Sequence, residues 1–405
     1  LCVEPLHMLR FEQNQLTLDG APSPGDPLAL LHDVLAQHPR PALPGLPPFQ
    51  GGAAGFLGYE IGPLLDRMPR APGNHSGIPD LLFGIFDVVL AWDHAAYRFW
   101  LIGDGPRAEA VLQRLNTPAP GLPSAPALHW TQPVSRPAHM ARVERTRAYI
   151  AAGDIYQANI TAPFVAHRPP DLTPAALFLK LRAANPAPFS AYISCGNGCA
   201  VASVSPERFL HLGSDGLIEA RPIKGTAPRG ATPAEDAALA ASLLASAKDR
   251  AENLMIVDLL RNDLARVATS GSVQVPTLCA LESFASVHHL VSAVTAQLRP
   301  GLGPLDLLRA SFPGGSITGA PKIRATEIIA DLEGHARGPY CGSAAWIGFN
   351  GAMDSNILIR TVTVATDRIT AQAGGGITAD SDPAAEWAEA LTKITPILRA
   401  LGELA

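Results

Sequence analysis

Two segments with helical composition carry carboxylates in pairs. In KDRAENLMIVDLLRNDL, Asp249 and Glu252 stand three residues apart, and in DPAAEWAEALTK Glu386 and Glu389 repeat that spacing. A separation of i, i+3 puts each pair on one helix face, where like charges cost stability. A solvated acidic face accounts for the spacing alone; two such faces brought together would offer hard oxygen ligands that suit Mg2+. The segment PIKGT (Pro222 to Thr226) sets Lys224 between apolar residues and a Gly-Thr turn. An amine desolvated there loses its proton more readily and becomes a nucleophile, although most lysines in such settings reach for water. Glu207 in SPERFL is a carboxyl able to do general acid work if a Glu207–Leu210 strand lies alongside; the plainer reading pairs it with Arg208.

Two glycine runs follow, FPGGSITGAPKIRA (Phe312 to Ala325) and GGGI (Gly374 to Ile377). Glycines allow close backbone approach, and free N–H groups at a helix start cradle anions. Neither run has the spacing of a Walker loop or of a dinucleotide fingerprint, which disfavours nucleotide binding. In SVHHLVS, His288 and His289 are adjacent and point to opposite faces if the segment is extended; without context a structural role is the simpler reading for both. Of five cysteines only Cys195 and Cys199 are close, and the Gly-Asn-Gly between them reads as a turn rather than a metal or redox motif.

The elements that must position these residues divide at Asn116 to His139, where six prolines in 24 residues lead us to expect neither helix nor strand. This gives a β-rich region 1–134 ending in a proline-rich linker and a second region 135–405 that holds every candidate above. Strands are expected at Leu81–Leu90 and Ala96–Ile102 before the linker. After it, Met140, Val143, Arg147 and Ile150 fall at helical spacing with Gly153 as the stop, and DIYQANIT alternates as a strand. Pro233 to Arg266 has helical composition throughout; strands follow at Ser272–Val275, Ser343–Phe349, Ile357–Val364 and Ile369–Ala373, then a helix at Asp382–Leu401. Strands and helices mix without regular βαβ alternation, which points to a layered α+β fold.

The 405 residues are 47% hydrophobic and 17% charged, with 36 Gly and 38 Pro, which describes a folded, loop-rich chain. Lys and Arg number 31 against 36 Asp and Glu, scattered, so nucleic acid is not an expected partner. The most apolar run, Leu81 to Trp92, is far short of a bilayer span and contains Asp87. With Glu4 and Pro5 interrupting the start and an odd number of cysteines, a cytoplasmic, reducing location is expected.

Taken in order, GDIYQANIT, SPERFL, PIKGT, AENLMIVDLLRNDL, SVHHLVS, FPGGSITGAPKIRA, RGPYCGSAAWIGF, ILIRT and GGGITADSDPAAEWAEALTK span Gly153 to Lys393. This pattern resembles the chorismate-utilising enzymes, and within them the branch that forms aminodeoxychorismate. Gly51–Glu60 resembles the family's GGxxGxxxY stretch, while the rest of the first region matches less strongly. The resemblance implies an α+β fold of two antiparallel sheets packed face to face with helices outside, as in anthranilate synthase component I. It also implies chorismate as substrate, Mg2+ as cofactor, and ammonia from a glutamine amidotransferase subunit, because no glutaminase nucleophile elbow is found in this chain.

By motif matching, Glu252 and Glu389 resemble the Mg2+ ligands, with Asp249 and Glu386 holding metal-bound waters. Gly374, Gly375 and Gly376 would assist the ring carboxylate; Tyr340 and Arg360 would hold the enolpyruvyl carboxylate. Glu207 matches the acid that protonates the departing hydroxyl, His289 the histidine near the ring, and Ser316, Lys393 and Thr226 further substrate contacts. Gln157 stands where isochorismate and salicylate synthases carry a lysine base, and Lys224 where anthranilate synthases have a small residue. Lys224 therefore resembles the nucleophile of the aminodeoxychorismate branch. The alternatives are an anthranilate synthase component I and an idle subunit that binds an anionic metabolite.

Overall fold

The apolar and alternating runs fold into a twelve-stranded sheet and an eight-stranded sheet, with a two-stranded ribbon, Val89–Asp93 against Arg98–Ile102, standing apart. The computed structural model describes residues 1–73, 77–118, 121, 125–284 and 287–404. Neighbouring strands are antiparallel except Gly402–Leu404, which runs parallel to Leu128–Thr131. Phe56, Leu82 and Ala344 of the larger sheet meet Cys195, Cys199 and Val201 of the smaller, so the two sheets lie face to face. Phe56 is fully buried there, a contribution of roughly 1.5–3 kcal/mol for such a side chain.

Helices cover the outer faces. Pro27–Ala36, Ala247–Ala265 and Pro304–Ser311 press Leu31, Val257 and Leu307 onto the larger sheet. Pro174–Ala184 and Pro383–Leu401 press Leu177 and Ile397 onto the smaller. The architecture is the layered α+β fold with two face-to-face sheets. Gly52–Leu57 pairs with Ser343–Gly348, with Leu57 opposite Ser343, so strands from before and after residue 134 share one sheet. The proline-rich stretch divides the order of the chain but not that sheet.

Several expected boundaries move. Within Asn116–His139 the Leu128–Thr131 strand forms and a helix begins at Arg136, because Pro137 lies in the first turn, where no N–H is needed, and Ser135 caps it. Residues 119–120 and 122–124 of that stretch, and Ser286 of SVHHLVS, lie outside the described residues. The expected strand Leu81–Leu90 divides into Leu81–Phe86 and Val89–Asp93, with Asp87 between them bonded to Arg107 at 3.0 Å. Pro233–Arg266 is two helices, Pro233–Ala245 and Ala247–Ala265; Ser246 ends the first, and its hydroxyl accepts the Asp249 N–H to cap the second. Strand residues begin at Thr361 rather than Ile357, and the preceding Arg360 takes φ 50°, a left-handed conformation that departs from extended backbone. The strand placed at Ser272–Val275 runs over Gln274–Ser283. Gly374–Gly376 lie inside the Arg368–Ile377 strand and not at a helix start, each opposite a residue of the Gln157–His167 strand.

Candidate active site

The Ile223–Pro228 strand pairs with Val287–Gln297, and its register slips between Ile223 and Thr226. The bulge falls on Lys224 and Gly225. Gly225 has φ +88°, and the Cβ and Cγ of Asp249 lie 3.0 Å from where a Cβ would stand, so glycine alone admits both the bulge and the approach of the Ala247–Ala265 helix. A bulge re-aims the side chain beside it, and Lys224 is turned into the protein. Burial lowers its pKa, the Glu252 charge opposes that shift, and the Lys393 charge adds to it.

Glu207 ends the approach to the Arg208–Leu212 strand, held by its own N–H donating to Ser205 Oγ at 3.2 Å and by Ile357 N–H donating to its carbonyl at 3.1 Å. Burial raises the pKa of its carboxyl, against the charges of Lys224 and Lys393 and a hydrogen bond from Ser316. A carboxyl inclined to keep its proton thus faces an amine inclined to lose one, the pairing that general acid and nucleophilic chemistry requires. His289 stands opposite Thr226 across the strand pair, its Nδ1 2.9 Å from Thr226 Oγ1. Burial lowers its pKa and the nearby Arg360 charge adds to the effect.

The two acidic pairs do converge. Glu252 is raised by burial and further by Asp249 on its own helix and Glu386 on the other; Glu386 is raised by burial and by Glu389. Glu389 is lowered overall, since Lys393 at 2.7 Å outweighs its burial. Lys393 also donates to the carbonyl of Gly374 at 3.0 Å. Gly375 forms the floor beneath the second pair: Glu386 Oε2 lies 3.0 Å, and Glu389 Oε1 and Lys393 Nζ 3.7 Å, from the place of its missing Cβ. Arg360 has no carboxylate partner among the described residues.

A profile of the chorismate binding enzyme family matches residues 2–399. The chain belongs to that family. It is 45% identical over 385 residues to aminodeoxychorismate synthase component 1 of Klebsiella aerogenes, covering 94% of this chain and 84% of the relative. It is 42% identical to anthranilate synthase component 1 of Streptomyces coelicolor over 94% of this chain and 78% of that one. The crystal structure of anthranilate synthase component I from Streptococcus pneumoniae superposes with a TM-score of 0.89 at 31% identity, covering 98% of this chain and 91% of that one.

In this chorismate binding enzyme Tyr340 is linked to the Arg360 loop, whereas Gln157 lies on the other side of the strand from the acidic pairs. Tyr340 is almost fully buried; burial pushes its hydroxyl well above the usual range and it bonds the Cys341 thiol. Its turn is tied to the Arg360 loop by Cys341 N–H to the Leu358 carbonyl and Leu358 N–H to the Gly342 carbonyl, both 2.9 Å. Gln157 is fully buried with neither carboxamide atom bonded to protein among the described residues, and its Nε2 lies 2.6 Å from the place of a Gly376 Cβ. Alternation along the strand puts that contact on the face opposite Gly375 and the acids.

The donor chemistry of the acidic group fits Mg2+: four hard carboxylates repel one another and are only partly answered by Lys393 and by Lys248, 3.9 Å from Glu252. Among the described residues no three of them are already gathered at ligating distance. Three contributors escaped the sequence reading. Lys248 was legible as the i, i+4 partner of Glu252. Ser381, whose hydroxyl donates to Glu386 Oε1 at 2.6 Å, and the Glu60–Arg337–Glu333 group, bonded across the fold, carry no local sign of their role.

Proposed function

We propose that this chain is the synthase component that aminates chorismate to 4-amino-4-deoxychorismate, with ammonia supplied by a glutamine amidotransferase subunit. The observation that carries the reading is Lys224: a bulge turns its amine inward, burial favours its neutral form, and Glu207 and Glu252 face it. Lys224 attacks the ring at the far end of the conjugated system, the double bonds shift, and the bond from carbon 4 to its hydroxyl breaks. Glu207 gives its proton to that hydroxyl, which leaves as water. Ammonia then attacks carbon 4, the double bonds shift back, and the lysine nitrogen departs with its electron pair. The enolpyruvyl group is retained.

Tyr340 and Arg360 are proposed to hold the enolpyruvyl carboxylate, for which the unpaired guanidinium suits a bidentate grip. His289 and Thr226, bonded to each other, flank the ring; Ser316 steadies Glu207. Glu252 and Glu389, with Asp249 and Glu386 behind them, would hold Mg2+, which supplies positive charge for the ring carboxylate. The five unpaired thiols accord with a cytoplasmic setting. No helix among the described residues is long and apolar enough to cross a membrane.

The relationship to anthranilate synthases sustains one rival reading, and product analysis separates the two. Incubation with chorismate, Mg2+ and ammonium is expected to yield an aminated product that keeps its enolpyruvyl group; fluorescent anthranilate would overturn the proposal. Lys224→Ala is expected to abolish a covalent adduct seen in intact-mass spectra of the wild type, and an adduct persisting in the variant would remove Lys224 as nucleophile.

A further inference from the structure

Glu60 follows the Gly52–Leu57 strand on a short turn, Tyr59–Ile61, and is 6% exposed. Its carboxylate accepts two backbone N–H groups, Arg337 on Oε1 and Gly338 on Oε2, each at 2.7 Å. Beside them Tyr59 N–H donates to the Gly338 carbonyl at 2.8 Å. Three hydrogen bonds thus fasten the start of the turn that carries Tyr340 to a strand-turn from the first third of the chain. Both amides that donate to Glu60 are out of water, where a lost acceptor would leave them unsatisfied.

The residue so fastened is a junction. The Arg337 guanidinium, 1% exposed, donates to both oxygens of Glu333, to the Ile317 carbonyl at 2.9 Å and to the Asn159 carbonyl at 2.6 Å, and packs over the Tyr59 ring. Its own carbonyl accepts from Gln372. Ile317 adjoins Ser316, which bonds Glu207; Asn159 faces Gly376 across the strand pair. Four residues beyond Glu60's contacts, Gly342 and Cys341 bind the loop that ends in Arg360. Paths from Glu60 thus lead to Arg360, Gly376 and Glu207, all assigned to the substrate, yet Glu60 itself contacts none of the assigned groups.

We propose that Glu60 is a positioning residue: it fixes the Arg337–Gly342 turn, and through it Tyr340 and Arg360, in the geometry that receives a substrate carboxylate. This rests on the reading of the site given above. A residue acting this way governs how tightly the dianion is held more than how fast the bonded complex reacts. A general scaffold residue would instead weaken fold, affinity and turnover together.

The test compares the wild-type chain with Glu60→Gln, which keeps size and one acceptor but turns an amide NH2 toward the second backbone N–H. Its readouts are KM for chorismate, kcat with ammonium, the thermal midpoint, and deuterium uptake followed by mass spectrometry. The expected result is KM raised about tenfold, from the loss of one buried hydrogen bond, with kcat within about twofold. Uptake should rise only in the 336–342 and 357–361 segments. Glu60→Asp, which keeps the carboxyl but falls short of the two amides, makes the same comparison should Glu60→Gln not fold. Unchanged KM and unchanged uptake in those segments would overturn the inference, as would KM, kcat and midpoint worsening together with uptake rising throughout. A wild type that turns over no chorismate would refute the proposed function instead, and the positioning role falls with it.

Discussion

A single methyl group at Gly375 tests whether the acidic faces act together. The Cβ of Gly375→Ala would stand 3.0 Å from Glu386 Oε2, closer than carbon and oxygen ordinarily settle, so that carboxylate must retreat by a few tenths of an ångström. Its other oxygen is held by the buried Ser381 hydroxyl at 2.6 Å, so the retreat turns the group about that anchor. Residues that support metal ligands typically change affinity by about 10–100-fold when altered, and a shift this small belongs at the lower end, about tenfold weaker Mg2+ binding. The backbone accepts alanine, since Gly375 lies within a strand and is absent from the positive-φ glycines; the loss of unfolded-state freedom alone favours the fold by about 0.4–1 kcal/mol. Metal titration by calorimetry and thermal unfolding of the same sample should therefore move in opposite directions, affinity down and midpoint unchanged or up. Unaltered Mg2+ affinity would refute the placement of Glu386 beside the cation.

Three further outcomes are expected. Activity should fall as pH rises through the raised pKa of Glu207, because the proton donor is lost, and should fall on the acid side as Lys224 takes up its proton; Glu207→Gln should leave too little activity for the alkaline limb to be traced, and a full profile in that variant would exclude the acid role. Burial pushes the Glu60 carboxyl up from 4.5 to about 7; the stability it contributes is thus complete below about 4.5 and is lost as pH rises to about 7, so the stability difference between wild type and Glu60→Gln should change by about 3 kcal/mol across that window. Denaturant titrations at pH 4.5 and 8 that give the same difference would contradict this. Arg337→Met strands the Glu333 carboxylate at 1% exposure and should cost about 3–5 kcal/mol, part of which Arg337→Met with Glu333→Gln should restore; additive losses by urea unfolding would show the pair uncoupled.

The candidate residues were legible because they lie in short motifs. The two acidic repeats sit on helices as their composition implied, whereas Lys224, read beside a Gly-Thr turn, lies in a bulged strand, and Glu207, read as a strand residue, precedes the strand at Arg208. The fold class followed from the mixed order of elements. What sequence alone concealed were events decided by distant partners. Nothing near Ile357 announces that Arg360 will turn left-handed ahead of a strand that starts only at Thr361, since that turn answers to Cys341, Gly342 and Val204. The break at Ser246 was hidden for a different reason: serine is tolerated in a helix, and only its bond to Asp249 N–H turns it into a cap. The proline-rich stretch misled because the prolines were weighed as breakers, whereas Pro137 sits where a helix can begin.

The pairing of Gly52–Leu57 with Ser343–Gly348 joins segments roughly 290 residues apart in the chain. As the polypeptide is made, the Gly52–Leu57 strand can pair early with Leu81–Phe86, but the neighbour on its other edge does not exist until most of the chain has been synthesised. The larger sheet therefore closes late and slowly, and synthesis exposes this chain to aggregation for longer than its finished stability suggests. Fragments cut near residue 134 should each be insoluble alone, and recover solubility only when produced together.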